Sequence, residues 1–158
     1  MARDSGLLLS DEELRLLEEL VAEGVPFIIV GVGAALMQGA DVATQDVDVW
    51  FKSTSHPGIA RAAKAAGATF AWRGDPPMFL GEGFDDVDVV TFCHGLRSFD
   101  EEYAEALDVP LGDLVVKVLP LERIIASKTA AGRVKDRAAI PALEATLIAE
   151  RATRSRGR

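Results

Sequence analysis

Cysteine and histidine are scarce in this chain of 158 residues, which contains Cys93, His56 and His94 and no others. A lone cysteine cannot form an internal disulfide, and two histidines are too few for a histidine-rich zinc site. These counts exclude a disulfide-stapled fold and favour a reducing, cytoplasmic location. Cys93 and His94 are adjacent at the end of a predicted strand and point to opposite faces, so we expect no Cys–His catalytic pair.

Long hydrophobic runs are also missing. The longest nearly unbroken apolar stretch, residues 25–37, contains a proline and two glycines and is shorter than the roughly 20 residues that span a bilayer. Near the start of the chain, Arg3 and Asp4 precede only a short apolar patch, so no signal peptide is expected. The sequence therefore predicts a protein without membrane contact.

A positively charged surface is missing as well. Four of the 17 basic residues lie in the last eight positions, so residues 1–150 carry 13 basic against 25 acidic side chains, a net charge of −12. This balance disfavours non-specific binding of nucleic acid or anionic membrane, although it is compatible with a local basic site. Length and a hydrophobic fraction of 49% predict one domain at residues 1–150, followed by a disordered, arginine-rich tail at residues 151–158.

Helical and strand periodicities alternate along the chain. Ser10 and Glu13 form a capping-box pattern that opens a first helix at residues 10–24. Further helices are predicted at residues 34–37, 55–66, 99–107, 121–131 and 136–149, strands at 27–30, 46–51, 87–92 and 114–118, and a broken hairpin or loop at 69–83. This order predicts an α/β (α+β) fold in which a mixed β-sheet is flanked by helices.

Three aspartates in two predicted strands point to metal chemistry. Asp46 and Asp48 are two positions apart and face the same side of their strand, and Asp88 has the same Val-Asp-Val surroundings in another strand. Two such charges about 5 Å apart repel by on the order of 3 kcal/mol at an effective dielectric of about 20. A cluster of this kind fits Mg²⁺ or Mn²⁺ and in-line phosphoryl transfer; the alternative is the solvated face of an edge strand.

The glycine segment Gly31-Val32-Gly33 lies between a predicted strand and the start of a predicted helix. Glycines there let backbone N–H groups approach a phosphate, which the helix dipole also favours. A dinucleotide-binding motif would need a third glycine where Leu36 stands, and the chain has no Gly-Lys-Ser/Thr of a P-loop. Phosphate binding here must use another scheme.

These two segments together resemble a known family. Residues 29–34, Gly39, Thr44 and residues 46–50 resemble the opening motif of the nucleotidyltransferase fold, a glycine segment followed about a dozen residues later by Asp-x-Asp. Downstream, residues 126–128 and 131–136 resemble the C-terminal signature of the small AbiEii-type (abortive-infection toxin-like) branch. The resemblance spans residues 25–145.

The resemblance implies a function and a set of roles. The implied reaction is Mg²⁺-dependent transfer of a nucleoside monophosphate from an NTP to a hydroxyl of RNA, protein or a small molecule. A toxin–antitoxin setting, an antitoxin or other partner protein, and a homodimer are further expectations. The implied metal ligands and catalytic carboxylates are Asp46, Asp48 and Asp88, the nucleotide is bound at Gly31, Val32, Gly33, Thr44 and Lys128, and Asp136 holds the turn at Arg133–Lys135 in place.

Three positions depart from the family pattern. Val32 replaces the second glycine or serine, and Gln38 and Val42 stand where His and Arg are frequent. They favour an alternative, a catalytically degenerate relative that acts as a protein- or RNA-binding module. A third hypothesis, a metal phosphohydrolase, differs in its product, because it would release the nucleoside monophosphate instead of attaching it.

Several other side chains allow two interpretations. Trp50 either stacks on a base or packs under a helix, and packing is favoured. Trp72 and Arg73 form either a mobile lip of the site or an ordinary loop, and the loop is favoured. The cations at Lys128, Arg133, Lys135 and Arg137 either bind phosphate or RNA or form a solvated helix face.

Overall fold

The computed structural model describes residues 9–157. Residues 1–8, where no signal peptide is predicted, and Arg158 lie outside the described residues. A seven-stranded mixed sheet and six helices make up this part of the chain. The helices are α1 (Asp11–Ala22), α2 (Gly31–Leu36), α3 (Pro57–Ala66), α4 (Phe99–Glu105), α5 (Leu121–Ala131) and α6 (Val134–Arg156). The strands are β1 (Phe27–Val30), β2 (Val47–Phe51), β3 (Thr69–Ala71), β4 (Met78–Leu80), β5 (Val87–Val90), β6 (Leu107–Leu111) and β7 (Leu114–Val118).

The strand order of the sheet is β3-β4-β5-β2-β1-β7-β6. β2 lies at the centre, antiparallel to β1 and parallel to β5, and this pairing sets Asp48 directly opposite Asp88. All four residues of β1 are buried, as expected for a strand covered on both faces. α1 packs against α3, and α5 packs against α2 and α6. The single-domain α/β fold predicted from the sequence is therefore confirmed.

Local signals explain the helix boundaries. In α1 the Ser10 hydroxyl accepts a hydrogen bond from the Glu13 N–H, and the Glu13 carboxylate accepts one from the Ser10 N–H, which completes the predicted capping box. α3 starts with Pro57 in its first turn and ends at Gly67, which has a left-handed φ of 95°. The end of α3 agrees with the sequence prediction, and its start lies two residues after the predicted one.

Several predicted boundaries are wrong. The helix predicted at residues 99–107 ends at Glu105, and residues 107–111 form β6, an edge strand that the sequence prediction missed. Pro110 removes one backbone donor from this strand, which an edge position tolerates. The helix predicted at residues 136–149 runs from Val134 to Arg156 and so includes most of the segment for which a disordered tail was predicted.

Other elements agree more closely. The segment at residues 69–83 forms the β3–β4 hairpin, one of the two structures predicted for it. Trp50 is buried and meets Phe99 edge-on, with ring centroids 5.2 Å apart, so the packing interpretation is confirmed. None of the helices within residues 9–157 is long and apolar enough to cross a membrane.

Candidate active site

The junction of β1 and α2 brings backbone and carboxylate into close contact. Gly31 follows β1 directly and has a φ of +73°, a left-handed conformation that favours glycine. A Cβ at this position would overlap the Oδ2 atom of Asp48. α2 begins at Gly31, three residues before the predicted start, so Gly31 and Gly33 belong to the helix itself. Glycine at position 31 therefore leaves room for the Asp48 carboxylate.

The three predicted carboxylates line one cleft. Asp48 and Asp88 are opposite each other on β2 and β5, and Asp46 precedes β2, where its N–H donates to the Thr44 hydroxyl over 3.0 Å. The cleft has a volume of about 280 Å³, and we call it the carboxylate cleft. Its lining residues are Val32, Gly33, Thr44, Asp46, Asp48, Asp88, Lys128, Arg133, Lys135 and Asp136.

Gly31 is the one predicted site residue that lies outside the carboxylate cleft. It lines an adjoining cavity of about 140 Å³, the inner cleft. The inner cleft shares four lining residues with the carboxylate cleft: Asp48, Lys128, Arg133 and Asp136. Every residue to which the resemblance assigned metal or nucleotide binding thus lies in one of two connected depressions, whereas Arg137 lines neither. The structure adds Arg133 and Lys135 to the same walls.

Burial and like charges together raise the pKa values of the carboxylates. The pKa of Asp48 is raised to about 6, first by burial and then by the neighbouring charges of Asp88 and Asp46. The pKa of Asp88 is raised as well, first by burial and then by Asp46 and Asp86. Lys135 lowers both pKa values and Lys128 lowers that of Asp48, but burial and the like charges together raise them by more. A bound divalent cation would relieve this repulsion.

The cations of the site are held by a buried aspartate at the start of α6. Asp136 is 1% exposed and accepts from Lys128 Nζ at 3.3 Å and from Arg133 Nε at 2.6 Å. Burial works to raise the pKa of Asp136, but these charged hydrogen bonds outweigh it and lower the pKa. The predicted contact between Asp136 and Arg133 is present. Lys135 is exposed on the wall of the carboxylate cleft.

Two of the positions that depart from the family pattern have structural roles. The Gln38 amide donates to the carbonyl oxygens of Ala34 and Leu119, at 3.0 and 2.8 Å, and its Oε1 accepts from the Leu121 N–H at 3.1 Å. Gln38 therefore joins the end of α2 to the start of α5, the helix that carries Lys128. Val42 is half-buried and packs against the core.

The segment after β5 contributes groups that the sequence analysis did not assign to the site. Phe92, Cys93 and His94 all line the inner cleft. Burial, together with Asp48 and Glu102, raises the pKa of the Cys93 thiol to about 12, so it stays protonated and is no nucleophile at neutral pH. Phe92 and His94 meet at 5.0 Å between ring centroids. The strand predicted at residues 87–92 ends at Val90, so Phe92 lies in the irregular segment that follows it.

A buried glutamate connects the segment after β5 to α4 and α5 through two ion pairs. Glu102 of α4 is 1% exposed and pairs with Arg97 and Arg123, each at 2.9 Å. Burial works to raise the pKa of Glu102, but the hydrogen bonds from Arg123 and Arg97 lower it. Because Arg123 belongs to α5, this pair fixes α4 against the helix that carries Lys128.

The carboxylates fit a divalent metal in donor type. Mg²⁺ and Mn²⁺ prefer oxygen ligands, and Asp46, Asp48 and Asp88 present carboxylates to one cleft in which their charges raise the pKa of Asp48. Within residues 9–157, no three His, Cys, Asp or Glu side chains already meet in a metal-holding group. An ion would therefore be held by carboxylates that turn toward it on binding.

Comparisons with known proteins support the fold. No family model matches the chain, and no curated protein matches it by sequence. Among solved structures, the crystal structure of ANT(2")-Ia, an aminoglycoside nucleotidyltransferase, in complex with adenylyl-2"-tobramycin is similar to it. The TM-score is 0.53 at 18% identity, over 92% of this chain and 96% of that chain. The chain thus has a nucleotidyltransferase fold; the AbiEii-type branch stays a prediction.

Proposed function

We propose that this protein is a metal-dependent nucleotidyltransferase that transfers a nucleoside monophosphate from an NTP to a hydroxyl acceptor. The observation that carries the proposal is the carboxylate cleft, in which Asp46, Asp48 and Asp88 face Lys128 and its neighbouring cations on a nucleotidyltransferase fold. Phosphoryl transfer needs mainly positioning and neutralisation of charge, and this combination of side chains provides both.

The carboxylates have separate roles in this reaction. Asp46 and Asp48 would hold Mg²⁺ or Mn²⁺, with Asp88 as the third ligand. The bound ion would neutralise charge on the α-phosphate and on the leaving pyrophosphate. Asp88 is exposed on the edge of the cleft, where an acceptor hydroxyl can reach its carboxylate.

The proposed step balances as follows. The acceptor oxygen attacks the α-phosphorus, the bond from that phosphorus to the oxygen bridging the β-phosphate breaks, and pyrophosphate leaves with the bonding electrons. The hydroxyl proton passes to the Asp88 carboxylate. Backbone N–H groups at Gly31, Val32 and Gly33 would hold the phosphates with Thr44 and Lys128, so that the α-phosphorus lies beside the carboxylates.

The acceptor and the biological setting are proposed on the resemblance alone. The solved neighbour is bound to an adenylylated aminoglycoside, which illustrates transfer to a small molecule. For this chain we retain RNA, protein and small-molecule hydroxyls as acceptors, and we place the protein in a toxin–antitoxin system with an antitoxin as its partner. Homodimerisation belongs to the same proposal.

A second candidate function is a degenerate nucleotidyltransferase-fold module that binds protein or RNA without catalysis. Val32 favours it, because a β-branched side chain lines the carboxylate cleft where the family pattern has glycine or serine. Gln38 also favours it, because it stands at one of the positions that depart from the family pattern. Its side-chain amide nitrogen and oxygen are both engaged in hydrogen bonds to the backbone, which is a structural role.

Calorimetric titration with each NTP in Mg²⁺ or Mn²⁺ tests the proposal. We expect the wild type to bind an NTP only with metal, and Asp46→Asn to bind it at least tenfold more weakly. Asp41→Asn is the matched control, because Asp41 is an exposed aspartate of the same loop that does not line the carboxylate cleft. A folded wild type that binds no NTP would favour the degenerate module. With an α-labelled NTP, label on an acceptor indicates transfer and free nucleoside monophosphate indicates hydrolysis.

A further inference from the structure

Phe92 is an exposed aromatic side chain inside the active-site region. It follows β5, the strand that carries Asp88, by two residues and is 69% exposed. It lines a third depression of about 570 Å³, which we call the outer cleft. The outer cleft shares Asp48, Arg133 and Lys135 with the carboxylate cleft, so a ligand on Phe92 would be continuous with one held by the carboxylates.

The Phe92 ring contacts one neighbouring aromatic ring and is otherwise exposed to solvent. His94 packs against it with ring centroids 5.0 Å apart and an angle of 84° between the planes. This perpendicular contact restricts the Phe92 side chain while most of its surface stays accessible. A flat apolar group could therefore stack on Phe92 with little loss of side-chain freedom on binding.

The charges beside Phe92 match a phosphorylated ligand. Arg133 and Lys135 line the outer cleft, and the Arg133 side chain is 62% exposed even though it donates to Asp136. Asp48 is the one carboxylate among the lining residues of the outer cleft. An aromatic face next to two cations is the arrangement that binds nucleotides, with the base stacked and the phosphates paired. A volume of about 570 Å³ is in the range of small-molecule sites.

We propose that Phe92, backed by His94, is a platform on which a nucleobase stacks, with Arg133 and Lys135 pairing with the phosphates of the same nucleotide. The proposal deepens the proposed function, on which it rests for the presence of a nucleotide in the cleft. The base can come from the NTP or from a nucleotide of an acceptor strand. Both sources share the same chemistry, and the experiment separates them.

The test compares three ligands on matched variants. Calorimetry in Mg²⁺ measures the affinity for an NTP, for inorganic tripolyphosphate, which has no base, and for a single-stranded RNA hexamer. Phe92→Leu keeps an apolar side chain and removes the aromatic face, and Phe92→Trp restores a face. Trp72→Leu is the control, because Trp72 is 61% exposed and lies in a different groove, beside His56 and Phe70. Unfolding temperatures confirm that each variant is folded.

We expect Phe92→Leu to weaken the ligand that contributes the base by roughly 5- to 100-fold, since stacking on one aromatic side chain accounts for a loss of that size. Tripolyphosphate affinity should stay within twofold of the wild type, Phe92→Trp should recover most of the loss, and Trp72→Leu should bind as the wild type does. A loss for the NTP identifies the NTP base, and a loss confined to the RNA hexamer identifies the acceptor base.

The outcomes separate this inference from the proposed function. If the wild type binds NTP and RNA and Phe92→Leu binds both equally well, the platform is wrong and the nucleotidyltransferase proposal stands. If the wild type binds no NTP but binds RNA in a manner that depends on Phe92, the transferase proposal fails and the platform stands. A wild type that binds neither ligand overturns both.

Discussion

Replacing Asp48 by asparagine should stabilise this protein at pH 7. The Asp48 carboxylate is half-buried on β2 beside Gly31, and its pKa is raised to about 6 by burial and by the charges of Asp88 and Asp46. Asparagine has the same size and shape, so it leaves the contact with Gly31 intact and removes the charge. In the wild type the ionised carboxylate therefore carries a cost in the free energy of folding.

The magnitude follows from linkage between protonation and folding. A folded pKa of about 6 against an ordinary aspartate pKa of 3.8 corresponds to about 3 kcal/mol, at about 1.4 kcal/mol per pH unit. The pKa of Asp48 is higher in the folded protein than in the unfolded chain, so the protonated carboxyl favours folding. This contribution to stability is fully present below about pH 4 and is lost as the pH rises through 6 and the buried carboxyl ionises. The advantage of Asp48→Asn should be about 3 kcal/mol at pH 7, roughly half of that at pH 5, and small at pH 4.

Urea unfolding of both proteins at pH 4, 5 and 7 measures this difference. Comparing the two proteins at each pH cancels the titration of other groups, such as Glu102, which is present in both. Asp46→Asn is a useful control, because Asp46 is exposed and its charge is a smaller cause of the raised Asp48 pKa, so its gain should be smaller. If Asp48→Asn is less stable than the wild type at pH 7, or if the difference does not change with pH, the carboxylate is a structural group and the reasoning fails.

Three further predictions concern the supports of the site. Gly31→Ala should lower the free energy of unfolding by at least about 1–2 kcal/mol because of the left-handed φ, and by more because the new Cβ overlaps Asp48. The control Gly39→Ala has a φ of +89° and nothing within 4 Å of its Cβ, so it should lose only the contribution of the left-handed φ. Equal losses of the two variants in thermal unfolding would contradict the overlap. Gln38→Leu should lose about 1–3 kcal/mol in urea unfolding, since it strands backbone groups of α2 and α5; an unchanged midpoint would refute the joining role. Asp136→Asn should lose about 1–3 kcal/mol at pH 7 and less below about pH 4, because the lowered pKa of Asp136 makes its contribution vanish as the wild-type carboxyl protonates; a loss independent of pH would argue against the charged hydrogen bonds.

Local sequence signals predicted most elements because their physical causes are local. The capping box at Ser10 and Glu13 needs only residues within one turn, and strand alternation around Asp48 needs only its neighbours. β6 was missed although a signal was present: Gly112 and Asp113 form a two-residue connection between two apolar runs, which is typical of a hairpin. The preceding helical pattern and Pro110 obscured it.

The tertiary structure decided what lies around the carboxylates. Gln38 reaches the backbone 81 and 83 residues further along the chain, a contact that no local pattern encodes. Phe92 follows the end of β5 in an irregular segment, so neither periodicity nor a motif indicated that it lies beside Arg133. Packing of α5 and α6 brought the cations to this side of the sheet.

The sequence by itself determined the chemical groups of the site: a glycine segment between a strand and a helix, an Asp-x-Asp pattern on a strand, and a third aspartate in matching surroundings. That Gly31 has a left-handed backbone and leaves room for the Asp48 carboxylate is known only from the tertiary structure. Only the tertiary structure decided that β2 and β5 are parallel neighbours, with Asp48 opposite Asp88. The physical reason is that side-chain type and alternation act over a few residues. The pairing of two strands separated by α3 and a hairpin depends on how all the buried surfaces of the domain fit together at once.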